Sequence, residues 1–261
     1  MPAKTKKELI LQPVEYSPEW ENTESNLRFL SHTLKESRGA DIIILPEMFN
    51  TGFSMNPSKI SEKMEGNTVN WMKSISIQNH TAVCGSLAIE EEGLYYNRFI
   101  FVAEGEIIAT YDKHHLFSYG GESGVYTSGN QKITFNYLGW KICPMICFDL
   151  RFPVWNRNSE NYDLMINVAN WPDSRIEVWD TLLKARSMEN VSYVCGVNRT
   201  GTDGMNLHYT GHSVIFSPIG KELNPEKINE HLFRQVISLD EVQKWRNKYR
   251  FLDERDHFTL L

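Results

Sequence analysis

Ile142-Cys143-Pro144-Met145-Ile146-Cys147-Phe148-Asp149-Leu150-Arg151-Phe152-Pro153 decides how this chain is read, because a short apolar run stops at a cysteine and gives way to charged residues and a proline. Runs of this length and composition mark strands covered on both faces, so this one delivers the Cys147 thiol to a strand end. Two other runs end the same way. Asp41-Ile42-Ile43-Ile44-Leu45-Pro46 delivers Glu47, and Ile107-Ile108-Ala109-Thr110-Tyr111-Asp112 delivers Lys113. A carboxylate, an ammonium and a thiol, each at a strand terminus, make a set suited to cleaving amides.

Around these runs, short β-rich segments alternate with amphipathic ones, and no Pro/Gly/Ser-rich linker divides the chain. Residues 1–261 therefore read as a single domain. The pattern predicts strands at Lys7–Gln12, Asp41–Leu45, Thr81–Ile89, Tyr96–Val102, Glu106–Tyr111, Lys132–Tyr137, Lys141–Ile146, Leu164–Ala169, Tyr193–Asn198, His212–Ser217 and Leu232–Ile237. Helices are expected over Glu24–Ser37, with Leu27, Leu30 and Leu34 on one face, and over Ile176–Glu189, with Trp179, Leu182 and Leu183 on one face. Gly105 and Gly139 each sit between two strand-like runs at hairpin spacing. Mixed sheets sandwiched between helices follow.

Composition narrows the function. A formal net charge of -6 argues against a general grip on nucleic acid or an anionic membrane, although a local basic pocket would still hold an acidic small molecule. The basic N-terminus, Met1 to Lys7, is followed only by Leu9-Ile10-Leu11-Gln12-Pro13, too short for a signal-peptide core. No run approaches the roughly 20 apolar residues of a membrane helix. Four cysteines, at 84, 143, 147 and 195, make no disulfide framework, which points to a reducing cytoplasm.

Each key residue also has an ordinary reading. A cysteine in an apolar run is usually an inert small hydrophobe, the role expected of Cys84, Cys143 and Cys195. Cys147 differs because it stands where a strand gives way to a turn, and free N–H groups there bind an oxyanion or lower a thiol pKa. Glu47 could be a solvated cap, but Leu45-Pro46 and Met48-Phe49 flank it with apolar residues. For Lys113, Asp112-Lys113-His114-His115 also reads as a polar turn. Cys143-x3-Cys147 lacks the pairing of a structural zinc site, adjacent His114 and His115 would point to opposite faces of a strand, and His208 and His212 do not share a helix, so no metal is expected. There is no G-x-G-x-x-G, Walker A or G-x-S-x-G sequence. Trp71, Met72, Trp179 and Met188 are expected in the core.

Taken in order, Leu45-Pro46-Glu47-Met48-Phe49, Tyr111-Asp112-Lys113-His114-His115-Leu116-Phe117 and Ile146-Cys147-Phe148-Asp149-Leu150-Arg151-Phe152-Pro153 resemble the nitrilase (carbon–nitrogen hydrolase) superfamily, and within it the bacterial omega-amidases. Tyr126 to Asn130, Val168 to Pro172, Ala185 to Asn190 and Val197 to Gly204 extend the resemblance over almost the whole chain. It implies a four-layer α-β-β-α sandwich with two mixed sheets, associating into homodimers or larger homo-oligomers, with no cofactor or metal.

An amide carbonyl is a poor electrophile, so cleavage needs a nucleophile, a base and positive charge where the oxyanion develops. On the family pattern Cys147 attacks, Glu47 is the general base, and Lys113 with the backbone N–H of Phe148 holds the oxyanion. Glu122, in Gly120-Gly121-Glu122-Ser123, matches a second glutamate that positions substrate or Lys113. The resemblance implies 2-oxoglutaramate and 2-oxosuccinamate as substrates, hydrolysed to the dicarboxylate and ammonia. Arg151, Arg175 and Arg199 are candidates for the substrate carboxylate, with Arg175 preferred; Phe117 and Trp171 are expected to wall the pocket. Two alternatives stand beside this reading: another activity of the same triad, such as N-carbamoyl amino acid or aliphatic amide hydrolysis, and a catalytically silent scaffold of the same fold.

Overall fold

Ile42, Ile43 and Ile44 show how the chain is layered. All three are fully buried, Ile42 and Ile44 in one apolar cluster and Ile43 in another, so a strand of three consecutive isoleucines is covered on both faces. The computed structural model describes residues 5–37 and 39–259; Met1 to Lys4 of the basic N-terminus lie outside them. In the first half of the chain the strands are β1 (Glu8–Pro13), β2 (Ile42–Ile44), β3 (Ala82–Glu91), β4 (Leu94–Ala103) and β5 (Glu106–Asp112). The second half adds β6 (Phe135–Tyr137), β7 (Trp140–Ile146), β8 (Leu164–Ala169), β9 (Tyr193–Asn198), β10 (Thr200–Thr202), β11 (His208–Thr210), β12 (Val214–Phe216), β13 (Glu222–Leu223), β14 (Glu226–Lys227) and β15 (Phe233–Ser238). The α-helices are α1 (Thr23–Thr33), α2 (Pro57–Ile60), α3 (Asn67–Gln78), α4 (Pro153–Asn156), α5 (Ile176–Asn190) and α6 (Leu239–Tyr249).

The strands make two large mixed sheets, ordered β14-β15-β1-β2-β3-β4-β5 and β13-β12-β9-β8-β7-β6, with β10 and β11 in a separate hairpin. The centre of each is parallel, β1-β2-β3 in one and β7-β8-β9 in the other. The sheets face each other: Phe101 of β4 packs on Phe135 and Tyr137 of β6, with ring centroids 4.8 and 5.1 Å apart. Leu30 of α1 and Val69, Met72 and Ile75 of α3 cover the outer face of the first sheet together with Ile43. On the other side α5 covers the second sheet, where a side chain at Gly196 of β9 would strike Leu183 and Trp179. This is the four-layer α-β-β-α order expected from the sequence.

The hairpin glycines fall where expected. Gly105 (φ +81°) turns β4 into β5 and Gly139 (φ +82°) turns β6 into β7, a backbone region open to glycine without the penalty a side chain brings. Several boundaries move. Lys132 to Thr134 and His212 to Ser213 are not strand, and the first helix stops at Thr33, with Leu34–Glu36 continuing as a 3-10 turn. His114 and His115 lie in the loop after β5, so the strand-face argument does not apply to them; their rings stack on Trp155 and Phe152 instead. Met188 is 51% exposed, on the solvent side of α5, and is not core. No helix among the described residues is long and apolar enough to cross a membrane.

Candidate active site

The parallel strands at the centre of the two sheets point their C-terminal ends at a common place, as ligand sites in open α/β sheets do. Glu47 follows β2, Cys147 follows β7 and Asn170 follows β8; Lys113 comes one residue after β5. The four residues proposed as the catalytic set are brought together, and Glu47, Lys113 and Glu122 are fully buried.

The Lys113 ammonium donates to Glu47 Oε1 at 2.8 Å and lies 2.9 Å from Glu122 Oε2, so one cation bridges two carboxylates. Asn97 repeats the bridge, its Nδ2 donating to Glu47 Oε1 at 2.8 Å and Glu122 Oε1 at 3.1 Å. Asn170 fills the other Glu47 oxygen: its backbone N–H donates to Oε2 at 2.8 Å and its Nδ2 at 3.3 Å. Glu122 Oε2 also receives the Phe117 N–H at 2.6 Å. Each of these partners of the two carboxylates is a donor, as carboxylate oxygens require.

Burial alone would strip Lys113 of its proton, but Glu122 and Glu47 outweigh it and hold its pKa above the ordinary value. Burial pushes the Glu122 carboxyl up, against the pull of Lys113 and with a further push from Glu47. Burial likewise raises the Cys147 thiol well above its ordinary range; Glu47 and Glu122 add to the rise and Lys113 opposes it. The cysteine is therefore a neutral thiol at neutral pH, and its use as a nucleophile would call for a base.

Cys147 sits in left-handed backbone (φ +45°) at the start of a 3-10 turn, Cys147–Arg151, a conformation that costs a non-glycine residue roughly 1–3 kcal/mol. The bend lifts the sulfur out of the sheet to within 3.9 Å of the Asn170 carbonyl and exposes it to a cavity of about 310 Å³. The Phe148 N–H follows in the first turn, where such groups have no helical acceptor. By contrast Cys84, Cys143 and Cys195 are fully buried in the core, and all four cysteines are free.

Phe117, Trp171 and Arg175, expected to line the pocket, all do, and Arg151 lines it too. The Arg175 guanidinium lies 5.4 Å over the Phe117 ring and that of Arg151 lies 5.3 Å over Trp171; neither has a carboxylate partner among the described residues. Arg199 is committed elsewhere. It is fully buried, donates to the carbonyls of Thr200 and Thr202, and stacks 4.7 Å from the Tyr209 ring, so it braces the β10–β11 hairpin and does not line the cavity.

Sequence reasoning passed over Asn97 and Asn170 and the hairpin that supplies Asp203, Met205, Leu207 and Tyr209 to the cavity wall. Asn97 left one signal, an amide inside the apolar strand that ends in Phe99 to Val102; a fully buried amide needs polar partners. Asn170 left another, following Val168-Ala169 as Glu47 follows Leu45-Pro46. No group of three or more metal-ligating side chains occurs among the described residues.

A thiol facing a cavity beside a buried carboxylate and ammonium, at converging strand ends in two stacked mixed sheets, suits a thiol-dependent hydrolase of carbon–nitrogen bonds. The sequence profile of the carbon–nitrogen hydrolase family matches residues 11–247, and the chain belongs to that family. It is similar to omega-amidase YafV of Yersinia enterocolitica, 38% identical over 93% of this chain and 94% of the relative. It is also similar to the 2-oxoglutaramate amidase of Bacillus subtilis (strain 168), 32% identical over 84% of this chain and 86% of the relative. Among solved structures XC1258 of Xanthomonas campestris, a CN-hydrolase superfamily protein with an arsenic adduct in its active site, superposes with a TM-score of 0.93 at 34% identity, covering 98% of this chain and all of the other.

Proposed function

We propose that this enzyme hydrolyses the terminal amide of 2-oxo acid monoamides, 2-oxoglutaramate and 2-oxosuccinamate, to the dicarboxylate and ammonia through a cysteine thioester. The observation that carries the reading is a mostly apolar cavity holding the Cys147 thiol and two guanidinium groups, Arg151 and Arg175, that have no carboxylate partner among the described residues. Such groups in a partly desolvated pocket favour an anionic substrate. The omega-amidase and 2-oxoglutaramate amidase relatives support the same substrate class.

The roles follow from position. Glu47 takes the thiol proton as Cys147 Sγ attacks the amide carbon, and Lys113 and the Phe148 N–H hold the resulting oxyanion. The carbon–nitrogen bond then breaks as the proton passes from Glu47 to the leaving nitrogen, which departs as ammonia. Water next gives a proton to Glu47 and its hydroxyl to the thioester carbon; the thiolate leaves and recovers that proton, and the carboxylic acid formed loses its own proton to solvent to become the carboxylate. Glu122 keeps Lys113 charged and in place. Phe117 and Trp171 wall the substrate's carbon chain, with Arg175 as the leading anchor of its distal carboxylate.

The same reading takes the enzyme as a single domain over residues 1–261, working in the cytoplasm as a homodimer or larger homo-oligomer; its four free thiols support a reducing compartment. Ammonia release from 2-oxoglutaramate, an N-carbamoyl amino acid and a neutral aliphatic amide tests the substrate assignment. A preference for the carbamoyl compound or the neutral amide would overturn it, and no release from any of them would favour the silent scaffold.

A further inference from the structure

Asp149 is fully buried two residues beyond the thiol, and its carboxylate ties two loops together. Oδ1 accepts the backbone N–H of His115 at 2.9 Å and lies 2.9 Å from the ring Nδ1 of the same residue. Oδ2 accepts the Tyr111 hydroxyl at 2.8 Å and the Ile146 N–H at 3.2 Å. The Tyr111 oxygen is itself clamped, accepting from Trp155 Nε1 at 2.9 Å and from the His114 N–H at 3.3 Å. Tyr111 and His115 flank Lys113 two residues to either side, and Ile146 immediately precedes Cys147. One carboxylate thus spans from the segment that carries the ammonium to the turn that carries the thiol.

Packing reinforces the link. Trp155 stacks on His114 and Phe152 on His115, with ring centroids 3.7 and 3.6 Å apart, so the segment after Cys147 grips the segment after Lys113. The Ile146 N–H bond to Asp149 also closes across Cys147, whose left-handed backbone persists only if its surroundings enforce it. Asp149 does not line the cavity.

Resting on the roles given to Cys147 and Lys113 above, we propose that Asp149 is a positioning residue that sets the separation between the Lys113 ammonium and the Cys147–Phe148 turn, and so forms the oxyanion site without touching substrate. Misplacing such groups by an ångström costs about a hundredfold in rate, so the effect falls on turnover and leaves substrate affinity largely intact.

Two variants test this, each measured per intact active site by stoichiometric iodoacetamide labelling of Cys147. Asp149→Asn turns one acceptor oxygen into an amine that faces the donors of Ile146 or His115. Its kcat per labelled site should fall roughly thirty- to a hundredfold, with KM within about threefold of the parent. Tyr111→Phe removes one link and leaves the carboxylate's other partners; its kcat should fall roughly three- to tenfold. Should Asp149→Asn fail to fold, Tyr111→Phe decides alone. A merely structural Asp149 would lower the melting temperature and the number of labelled sites while leaving kcat per site unchanged, and that result would overturn the proposal. Wild-type ammonia release that survives Cys147→Ala would instead overturn the assignment of the site itself, and the two failures are distinguishable.

Discussion

Glu47→Gln is the change that asks most of the site. The carboxylate receives two donors on each oxygen, Lys113 Nζ and Asn97 Nδ2 on Oε1, the Asn170 N–H and Nδ2 on Oε2. A glutamine has one acceptor oxygen, so in either orientation its amine meets two donors, and shape is preserved while hydrogen bonding is not. Lys113 Nζ and Asn97 Nδ2 keep Glu122, and Asn170 Nδ2 keeps the backbone carbonyl of residue 47, so at most one donor is left unpaired, at a cost of about 1–3 kcal/mol. Relief is at hand, because the side-chain oxygens of Asn97 and Asn170 are buried without a protein partner and either amide can turn to accept from the new amine. The lower half of that range, about 1–2 kcal/mol, is therefore expected, or roughly 2–8 °C in melting temperature for a chain of this size. Loss of the base should remove a further hundred- to ten-thousandfold in kcat. Differential scanning fluorimetry reads the first quantity and ammonia release the second. Intact-protein mass spectrometry should show little acyl-enzyme, since acylation needs the same base. Unchanged melting with activity within tenfold of wild type, or rapid thioester build-up, would refute the argument.

Cys147→Ala should abolish turnover with the fold intact by circular dichroism, whereas Cys84→Ala, Cys143→Ala and Cys195→Ala, each emptying a fully buried site, should mainly lower stability, by about 1–2 kcal/mol in denaturant titrations. Arg175→Ala should reduce kcat/KM on 2-oxoglutaramate by about ten- to a hundredfold and leave a neutral amide of similar length nearly unaffected. An equal loss on both substrates would mean a structural role, and no loss on either, with a selective loss in Arg151→Ala, would move the anchor to Arg151. Glu122→Gln removes a negative charge that holds the Cys147 thiol up and the Lys113 ammonium charged. The thiol pKa should come down, so iodoacetamide alkylation at pH 8 should speed up even as kcat falls; slower alkylation would contradict the stated cause of the shift.

The strand-end residues were legible because each ends an apolar run abruptly, a one-dimensional signal. The helices α1 and α5 were legible because leucines and tryptophan recur at helical spacing with enough buried area to dominate. Helix α6 was not: Val242 is its one buried residue among those described, Leu239 packs on the core only in part, and Glu241 and Arg246 hold the helix to the second sheet's end through hydrogen bonds. Helix α3 was passed over for a related reason, its buried face mixing Thr68 and Ser76 with Val69, Met72 and Ile75. Within the site, Lys113 had an ordinary polar-turn reading, and only tertiary structure shows it fully buried between two carboxylates. The Arg199 role had to wait for the fold as well, since nothing local in Asn198-Arg199-Thr200 says that the guanidinium turns back onto the carbonyls of its own hairpin.

The second carboxylate explains how so buried a site tolerates the chemistry. In the proposed mechanism both carboxylates start ionised, with Lys113 protonated and Cys147 a thiol, so the cluster carries one negative charge in excess. When the thiol proton passes to Glu47, that charge moves to sulfur; when sulfur attacks, it moves to the oxyanion beside Lys113. No step brings a new charge into a low-dielectric interior, which would cost far more than moving one already there. The sequence works only if Lys113 stays protonated while Glu47 is neutral and no longer supports it. Glu122 supplies that support, because it faces the ammonium at 2.9 Å and takes no part in the transfer. A site with Glu47 alone would let the lysine's proton go as the thiol's arrived, and the oxyanion would form without its counter-charge.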